Sequence, residues 1–368
     1  MTGIVIQTLG QAYWKHFPIA LPPAGTFAGQ VVVVTGGTSG LGLAAAAHFL
    51  DLGADEVVIT SRDAGRAQRA LAALEKRPRP GPSAAANGNS SEGGGGGKVR
   101  VVDLDMGRYA SVAAFAHEVA ELRRGRGGVD YVVLNAGVAG TDFALAAEGW
   151  EQNIQVNALS TALLAALLVP RMKAERRHRA APAHLAIVTS GRHLEPDVQQ
   201  WESWIAGKEG GILRHLNRPE NWPSADAMYA ATKLMVHLAV EELAKMALGP
   251  DGRPEVIVNT TCPGIVKSDL LRHYVDKGRL LAIGVSVFTR LFAKSTSDGA
   301  RTYVAVGLTK ESEHGKFIRF YGSEAEYQRQ AKAILGSKAG RRVQAQVWSE
   351  MTADFVAKVP EAMETLAS

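Results

Sequence analysis

The feature that most constrains the fold of this chain is a regular alternation of short β-branched runs with longer Ala- and Leu-rich segments. Each short run is almost continuously apolar, which is typical of strands that are buried on both faces of a sheet. Strands are predicted at 31–35, 57–60, 99–102, 131–134, 185–189, 256–260 and 317–320, and helices at 41–52, 64–77, 109–124, 145–177 and 226–248. This alternation predicts an α/β fold, with a parallel sheet covered by helices on both faces.

A chain of 368 residues can form one large α/β domain, and we predict such a domain over 29–322. Residues 1–28 are expected to form an N-terminal arm, and residues 323–368 are expected to add C-terminal helices. Residues 78–97 begin with a Pro-rich run and end in five glycines. Such a segment buries too little surface to offset its ordering entropy, so we predict a flexible loop before the third strand.

The composition excludes several kinds of site. Cys262 is the single cysteine, so the chain cannot form an internal disulfide or a thiolate-rich metal centre, and no metal site is predicted. The net charge of +5 is small and scattered. Its densest run, Arg176 to Arg179, is interpreted as a solvated helix end, so no nucleic-acid partner is expected.

The sequence also gives an expectation about membranes. No run reaches the roughly 18–20 apolar residues of a membrane span. The N-terminus lacks the basic-then-apolar pattern of a signal peptide, so we expect a cytoplasmic protein. The short apolar stretch from Leu280 to Ala293 is the best candidate for peripheral membrane contact.

A glycine-rich turn follows the first predicted strand directly, and an Ala-rich helix follows the turn. The turn reads Thr35, Gly36, Gly37, Thr38, Ser39, Gly40, Leu41 and Gly42. Glycines let the backbone approach a pyrophosphate closely, and the helix N-terminus offers it free N–H groups and a positive dipole end. In this strand–turn–helix context the motif predicts a dinucleotide-binding site.

Further motifs follow this turn in a fixed order. They are Asp105-Met106, Asn135-Ala136-Gly137, Asn157, Ser190, the pair Tyr229 and Lys233 in a YxxxK spacing, and Pro263-Gly264-Ile265 with Ser268. With the TGxxxGxG turn, over roughly residues 28–270, the chain resembles the short-chain dehydrogenase/reductase family. Within the family it resembles retinol-dehydrogenase-like members and fungal members of secondary metabolism. The resemblance implies a Rossmann-type doubly wound sheet of seven strands in the order 3-2-1-4-5-6-7.

The resemblance also implies roles for individual residues. Asn157, Ser190, Tyr229 and Lys233 are the implied catalytic residues: Ser190 would bond the substrate oxygen, Asn157 would organise a relay water, and Lys233 would also hold the nicotinamide ribose. Asp103 is a second register for the adenine-contacting acid. The predicted cofactor-binding residues are Thr35, Gly36, Thr38, Ser39, Gly40, Leu41, Gly42, Ser61, Arg62, Asp105, Met106, Asn135, Ala136, Gly137, Tyr229, Lys233, Pro263, Gly264, Ile265 and Ser268.

The chain departs from the family pattern at two places. Leu134 stands where the family usually has the first Asn of its NNAG motif. Thirty-eight residues separate Ser190 from Tyr229, so residues 191–225 are interpreted as an insert. Because of this insert, Thr189 and Ser224 remain alternatives to Ser190.

The YxxxK spacing suits proton transfer to a carbonyl oxygen. Tyr229 and Lys233 are four residues apart, which places them on one helix face. A free tyrosine titrates near 10, and lowering its pKa by about 3 takes roughly 4 kcal/mol of phenolate stabilisation. A neighbouring ammonium in a partly dry site supplies much of that stabilisation.

The end of the second strand indicates which nicotinamide cofactor is bound. An acid about 20 residues past the glycines usually binds the ribose 2′-hydroxyl of NAD. Here that place is occupied by Ser61 with Arg62 beside it, and a guanidinium pairs with a 2′-phosphate. Arg66 and Arg69 follow, and Asp63 is interpreted as a helix cap. We therefore predict NADP(H), with NAD(H) as the less favoured alternative.

The segment 269–295 carries many apolar residues and is predicted to be a substrate lid. Trp201, Trp204 and Trp222 of the insert either line the same cleft or pack the insert itself. These features predict a carbonyl/alcohol oxidoreductase for a hydrophobic small molecule. Packing of both segments on a second subunit, as a homodimer, is the structural alternative. A non-catalytic cofactor-binding scaffold or sensor and an epimerase or dehydratase are the functional alternatives.

Overall fold

The computed structural model describes residues 15–77, 97–207, 210–267, 293–360 and 362. Within these ranges the chain forms one seven-stranded parallel sheet in the order β3-β2-β1-β4-β5-β6-β7, which confirms the predicted doubly wound fold. The strands are β1 (Val31–Val34), β2 (Glu56–Ser61), β3 (Lys98–Asp103), β4 (Tyr131–Leu134), β5 (Ala183–Val188), β6 (Val256–Thr261) and β7 (Phe317–Ile318).

Helices connect the strands and extend beyond the last one. They are α1 (Gly40–Asp51), α2 (Ala64–Glu75), α3 (Tyr109–Glu121), α4 (Thr161–Ala174), α5 (Val198–Ile205), α6 (Ile212–Leu216), α7 (Ala225–Met246), α8 (Thr296–Val306), α9 (Glu324–Ile334) and α10 (Lys338–Lys358). A π-helix, Ile154–Ser160, leads into α4, and a short 3-10 turn, Gly191–Leu194, follows β5.

Alternate residues of the central strands point to opposite faces of the sheet, as the period of two in a strand requires. Val31 and Val33 belong to the apolar core that contains α3, α4, α7 and α10. Val32 and Val34 belong to the core that contains α1 and α8. All four valines are fully buried. The continuous apolar run in the sequence is therefore the consequence of two separate cores.

The last helix, α10, is part of the first of these cores. Val343, Val347, Met351 and Phe355 recur every fourth residue and are fully buried. They form one stripe along the helix, and α10 contacts α5, α6 and α7. Complete burial of such side chains contributes about 1.5–3 kcal/mol each. The C-terminal helices thus extend the core of the sheet.

The prediction of one helix over 145–177 was wrong at its start. Leu145 forms an antiparallel bridge with Glu151, and Gly149 has a φ of +83°. The Glu151 carboxylate accepts hydrogen bonds from the backbone N–H groups of Asn153 and Ile154 at 2.9 and 3.1 Å. This side chain occupies the free donors where the helical segment begins, so the helix cannot extend further back.

The prediction that no segment could span a membrane also needs correction. Ile154–Ala174 is long and apolar enough by composition, and 89% of its most apolar window is buried inside the protein. It includes α4, which packs between the sheet and the neighbouring helices. A helix that is apolar all round is typical of a protein core as well as of a membrane.

The tryptophans of residues 191–225 pack inside the protein. Trp201 is buried in the same core as α10, and its ring lies 6.1 Å from that of Trp204. The ring of Trp204 stacks on His215 at 4.0 Å. Trp222 is partly buried against the same core. None of the three is among the described residues that line the main cleft, so the interpretation of them as substrate-pocket residues was wrong.

Candidate active site

A cleft of about 460 Å³ runs along the carboxyl ends of the strands. In a doubly wound sheet this edge is where ligands bind, beside the point at which the strand order reverses. Turns after β1 to β6 all contribute to its walls. The predicted residues that line it are Gly36, Thr38, Ser39, Gly40, Leu41, Ser61, Arg62, Asp105, Met106, Asn135, Ala136, Gly137, Ser190, Tyr229, Lys233, Pro263, Gly264 and Ile265.

The glycine-rich turn is fixed by a network with its neighbours. The Thr35 hydroxyl accepts hydrogen bonds from the backbone N–H groups of Asn135 and Ala136, both at 3.0 Å. The Asn135 amide donates to the Thr35 carbonyl at 2.9 Å, and the Gly36 N–H donates to the Thr60 hydroxyl at 3.0 Å. Thr35 does not line the cleft; it holds the turn from behind.

Gly42 also acts from behind the cleft. A Cβ atom at this position would lie 2.4 Å from the Gly36 carbonyl oxygen and 2.7 Å from the Asn135 side-chain nitrogen. Only a glycine lets helix α1 approach the turn this closely. At the helix start, Ser39 makes no side-chain capping bond, so the turn presents backbone donors to the cleft. These residues fit the pyrophosphate of a dinucleotide.

The end of the cleft beside β2 carries cationic side chains. Arg62 and Arg66 both line it, and the side chain of Arg62 is 63% exposed and thus open to a ligand. The Asp63 carboxylate accepts a hydrogen bond from the Arg66 backbone N–H at 2.6 Å, and it therefore caps α2 as predicted. Asp105 lies 3.7 Å from Arg62, and Asp103 is not among the lining residues.

Ser190, Tyr229 and Lys233 line the cleft together at the end near β5 and β6. The Lys233 ammonium donates a hydrogen bond to the Val188 carbonyl at 2.9 Å and lies 5.5 Å from the centre of the Tyr229 ring. Burial lowers the pKa of Lys233 to about 8. The side chain is thus still mainly cationic at neutral pH, beside the tyrosine whose phenolate it would stabilise.

Ser190 lies two residues after β5 and caps the turn Gly191–Leu194, with its hydroxyl in a defined position. Its oxygen accepts a hydrogen bond from the Arg192 backbone N–H at 3.3 Å, which leaves the hydroxyl proton to donate elsewhere. Of the alternatives, Ser224 caps α7 by accepting from the Ala227 N–H. Thr189 lines the cleft, but its hydroxyl is directed to the Thr261 carbonyl at 3.4 Å.

Asn157 lies behind the cleft wall, within the π-helix. Its amide nitrogen donates to the Val138 carbonyl at 2.9 Å and to the Thr232 hydroxyl at 3.2 Å. Its amide oxygen accepts from the Val138 N–H at 2.9 Å. The side chain therefore ties the loop after β4 to helix α7, next to the position of Lys233.

No sequence motif marks one residue of the site, Tyr303 of α8. Its ring lines the cleft, and its hydroxyl donates to the Asn135 side-chain oxygen at 3.0 Å. Burial raises its pKa well above the ordinary value. Cys262, the single cysteine, is buried and also lines the cleft.

Parts of the predicted site lie outside the described residues: Ser268, most of the 269–295 lid and most of the 78–97 loop. The described residues on either side of the undescribed stretch, 267 and 294, are adjacent. Lys267 donates its N–H to the Lys294 carbonyl, and Lys294 donates its own to the Ile265 carbonyl, both at 3.0 Å. In the described part of the chain, no three His, Cys, Asp or Glu side chains are grouped to hold a metal ion.

The fold and the glycine-rich turn define a dinucleotide-binding α/β protein. Ser190, Tyr229 and Lys233 add a proton-transfer site in the same cleft. Comparison with known proteins agrees. The family model described as short chain dehydrogenase matches residues 30–210. Phaeosphaeria nodorum has a short-chain dehydrogenase/reductase, phmF, that is 33% identical, with 92% of this chain and 90% of that protein covered. The short-chain dehydrogenase/reductase ffsI of Aspergillus flavipes is 30% identical, with 100% and 98% covered.

A solved structure supports the fold. L-sorbose reductase from Gluconobacter frateurii, in complex with NADPH and L-sorbose, is similar with a TM-score of 0.58 at 20% identity. The similarity covers 82% of this chain and 98% of that one. The chain belongs to the short-chain dehydrogenase/reductase family, and it is an oxidoreductase that acts on CH–OH and C=O groups with a nicotinamide cofactor.

Proposed function

We propose that this protein is an NADP(H)-dependent, cytoplasmic oxidoreductase that interconverts a carbonyl and an alcohol on a hydrophobic small molecule of secondary metabolism. One observation carries the proposal. The same cleft places two arginines at one end, beside β2, and Ser190, Tyr229 and Lys233 at the other, with apolar walls around the second group.

When bound, a nicotinamide cofactor supplies or accepts the hydride. The side chains of this protein manage the proton. Tyr229 holds it at the phenol oxygen and donates it to the substrate oxygen during carbonyl reduction. The Lys233 ammonium stabilises the phenolate that remains, and the Ser190 hydroxyl donates a hydrogen bond that orients the substrate oxygen. The burial of Lys233 keeps water from weakening this interaction.

The cofactor preference follows from the end of β2. Arg62 and Arg66 line the cleft there, and the Asp63 carboxylate is occupied by its capping bond. Ser61 cannot hold a ribose 2′-hydroxyl as a carboxylate would, and its hydroxyl is directed to the Asp63 carbonyl at 2.9 Å. A 2′-phosphate would complete this cationic end, because guanidinium groups bind phosphate strongly.

Arg62→Ala should remove most of the preference for NADPH over NADH. A hydrogen bond to a charged group is worth about 1.5–3 kcal/mol, so the ratio of the two dissociation constants should fall roughly 10- to 150-fold. Titration calorimetry with both cofactors measures this ratio. Arg69→Ala is the matched control, because Arg69 is on α2, the helix that follows Arg62, but is not among the described lining residues. Equal affinity of the parent protein for both cofactors would exclude the assignment.

The substrate class follows from the other end of the cleft. Among the described residues around Tyr229, the side chain of Lys233 is the only charged group on the cleft wall. The remaining wall is largely apolar and includes Val138, Val156, Val188, Cys262, Pro263, Ile265 and Val266. Burial of about 200 Å² of an apolar ligand at roughly 25 cal/mol per Å² contributes about 5 kcal/mol.

A panel of carbonyl substrates tests the substrate class. With saturating NADPH, kcat/KM should be on the order of 100-fold higher for a polycyclic or long-chain ketone than for a small polar ketone, since about 3 kcal/mol of the apolar contribution suffices for this difference. Sugars of the same size as the polycyclic ketone are the control for shape. Preference for the sugars would refute the hydrophobic-substrate proposal and leave the oxidoreductase class unaffected.

The low pKa of Lys233 predicts a pH dependence. Carbonyl reduction needs the ammonium, and kcat/KM for the cofactor reports the protonation state of the free enzyme. Because burial lowers the pKa of Lys233 to about 8, this parameter should be constant below pH 8 and fall as pH rises above it. An exposed lysine would hold its proton to about pH 10. The residual rate of Lys233→Met should lack this fall.

A further inference from the structure

Ser190 and Tyr229 must act on one substrate oxygen, but they belong to different elements. Ser190 lies two residues after β5, and Tyr229 is near the start of α7. Their relative position therefore depends on contacts between the turn Gly191–Leu194 and that helix. The side chain that makes this connection is His193, three residues after Ser190, and it is fully buried.

His193 is held through both ring nitrogens. Nδ1 lies 2.6 Å from the Ser190 carbonyl oxygen, and Nε2 lies 3.2 Å from the hydroxyl of Tyr327 in α9. A carbonyl oxygen only accepts, so Nδ1 carries the proton and Nε2 accepts from the tyrosine hydroxyl. The Arg319 guanidinium lies 4.7 Å above the Tyr327 ring. The Ser190 carbonyl thus selects the tautomer, and the tyrosine hydroxyl, which can donate or accept, holds the other side of the ring.

The ring of His193 also stacks on His237, with ring centres 4.1 Å apart. His237 is four residues after Lys233 and eight after Tyr229, so the three side chains lie on one face of α7. Phe317 packs with its ring edge-on against His193 at 4.9 Å. Burial lowers the pKa of His193 to about 4 and that of His237 well below its ordinary value. Both rings are therefore neutral and stack without charge repulsion.

We propose that His193 is a positioning residue that fixes Ser190 relative to Tyr229, and that the Tyr327 hydroxyl holds the Nε2 edge of its ring in place. None of His193, His237 and Tyr327 is among the described residues lining the cleft, so the effect reaches the substrate only through Ser190 and α7. This inference rests on the proposed carbonyl reduction. It gives the C-terminal helix α9 a role in that chemistry.

Replacement of His193 by asparagine and, separately, by glutamine distinguishes the functions of the two ring nitrogens. The Asn side-chain nitrogen takes the place of Nδ1 and keeps the bond to Ser190, whereas the Gln nitrogen takes the place of Nε2 and loses it. His193→Asn, which loses the ring stack on His237 but keeps the Ser190 bond, should lower kcat by about 3- to 10-fold, and His193→Gln, which loses both, should lower it by roughly 10- to 100-fold, since misplacement by about 1 Å costs on that order. The NADPH dissociation constant should stay unchanged in both variants.

His184→Asn is the matched control. His184 lies at the other end of β5, is largely buried, and bonds the Thr309 carbonyl at 2.9 Å. The His184→Asn variant should lower the melting temperature about as much as the His193 variants without changing kcat. If His193→Gln has parental kcat, or if both His193 variants lose activity only in proportion to their melting temperature, the positioning role is refuted.

Nitrogen-15 NMR of histidine-labelled protein tests the same geometry without turnover. His193 should show the Nδ1–H tautomer from pH 6 to 9, and it should keep this tautomer in Tyr327→Phe, because the Ser190 carbonyl still accepts from Nδ1–H. An Nε2–H tautomer at His193 in the parent protein would overturn the inference. If the parent protein reduces no carbonyl while the Nδ1–H tautomer is present, the proposed function fails and the buried network stands.

Discussion

Replacement of Tyr229 by phenylalanine should lower kcat by about 10²- to 10⁴-fold, the range that a positioned general acid contributes. The ring is kept, so the cleft wall is unchanged and the affinity for NADPH should vary less than about twofold. Lys233 retains its bond to the Val188 carbonyl in this variant. Stopped-flow reduction of a hydrophobic ketone measures kcat, and cofactor fluorescence measures binding.

Tyr131→Phe is the matched control for this result. Its hydroxyl is also buried and donates to the Tyr303 carbonyl at 2.8 Å, but Tyr131 is not among the described residues that line the cleft. The control should lose about 1 kcal/mol of stability and keep its turnover. A Tyr229→Phe variant with the kcat of the parent protein would show that another group donates the proton, and the non-catalytic alternatives would return.

The second large effect is expected at the glycine-rich turn. Gly42→Ala should raise the NADPH dissociation constant by at least about 100-fold, because the new Cβ would lie 2.4 Å from the Gly36 carbonyl oxygen. The turn must move away from α1, and this breaks the alignment that Asn135 maintains. Overpacking of this kind also costs about 1–3 kcal/mol of stability.

Gly65→Ala provides the comparison for Gly42→Ala. Gly65 is in the first turn of α2, and a Cβ there would meet its nearest atom at an ordinary 3.4 Å. We expect unchanged cofactor affinity and equal or slightly higher stability in this control. Calorimetry and thermal melting distinguish the two variants. Normal NADPH binding by Gly42→Ala would mean that the pyrophosphate does not lie on this turn.

Local patterns accounted for the central part of the fold. The apolar runs and the helical segments between them predicted the sheet and its helices, and the resemblance implied the strand order that the structure shows. The predicted helix over 145–177 failed at its start because apolar periodicity does not reveal a side-chain cap such as Glu151. The tryptophans were ambiguous because a local pattern does not say which surface a helix face will meet.

The sequence by itself determined which residues follow each strand. A parallel sheet brings all its carboxyl ends to one edge, so these residues meet there. That rule is enough to group the glycine-rich turn, Ser190 and Pro263 in one cleft. Only the tertiary structure placed Tyr303 against Asn135 and His193 between Ser190 and Tyr327. The Tyr303–Asn135 and His193–Tyr327 pairs join residues that are more than 130 positions apart. Their contacts arise from the packing of α8 and α9 on the sheet, which no local pattern encodes.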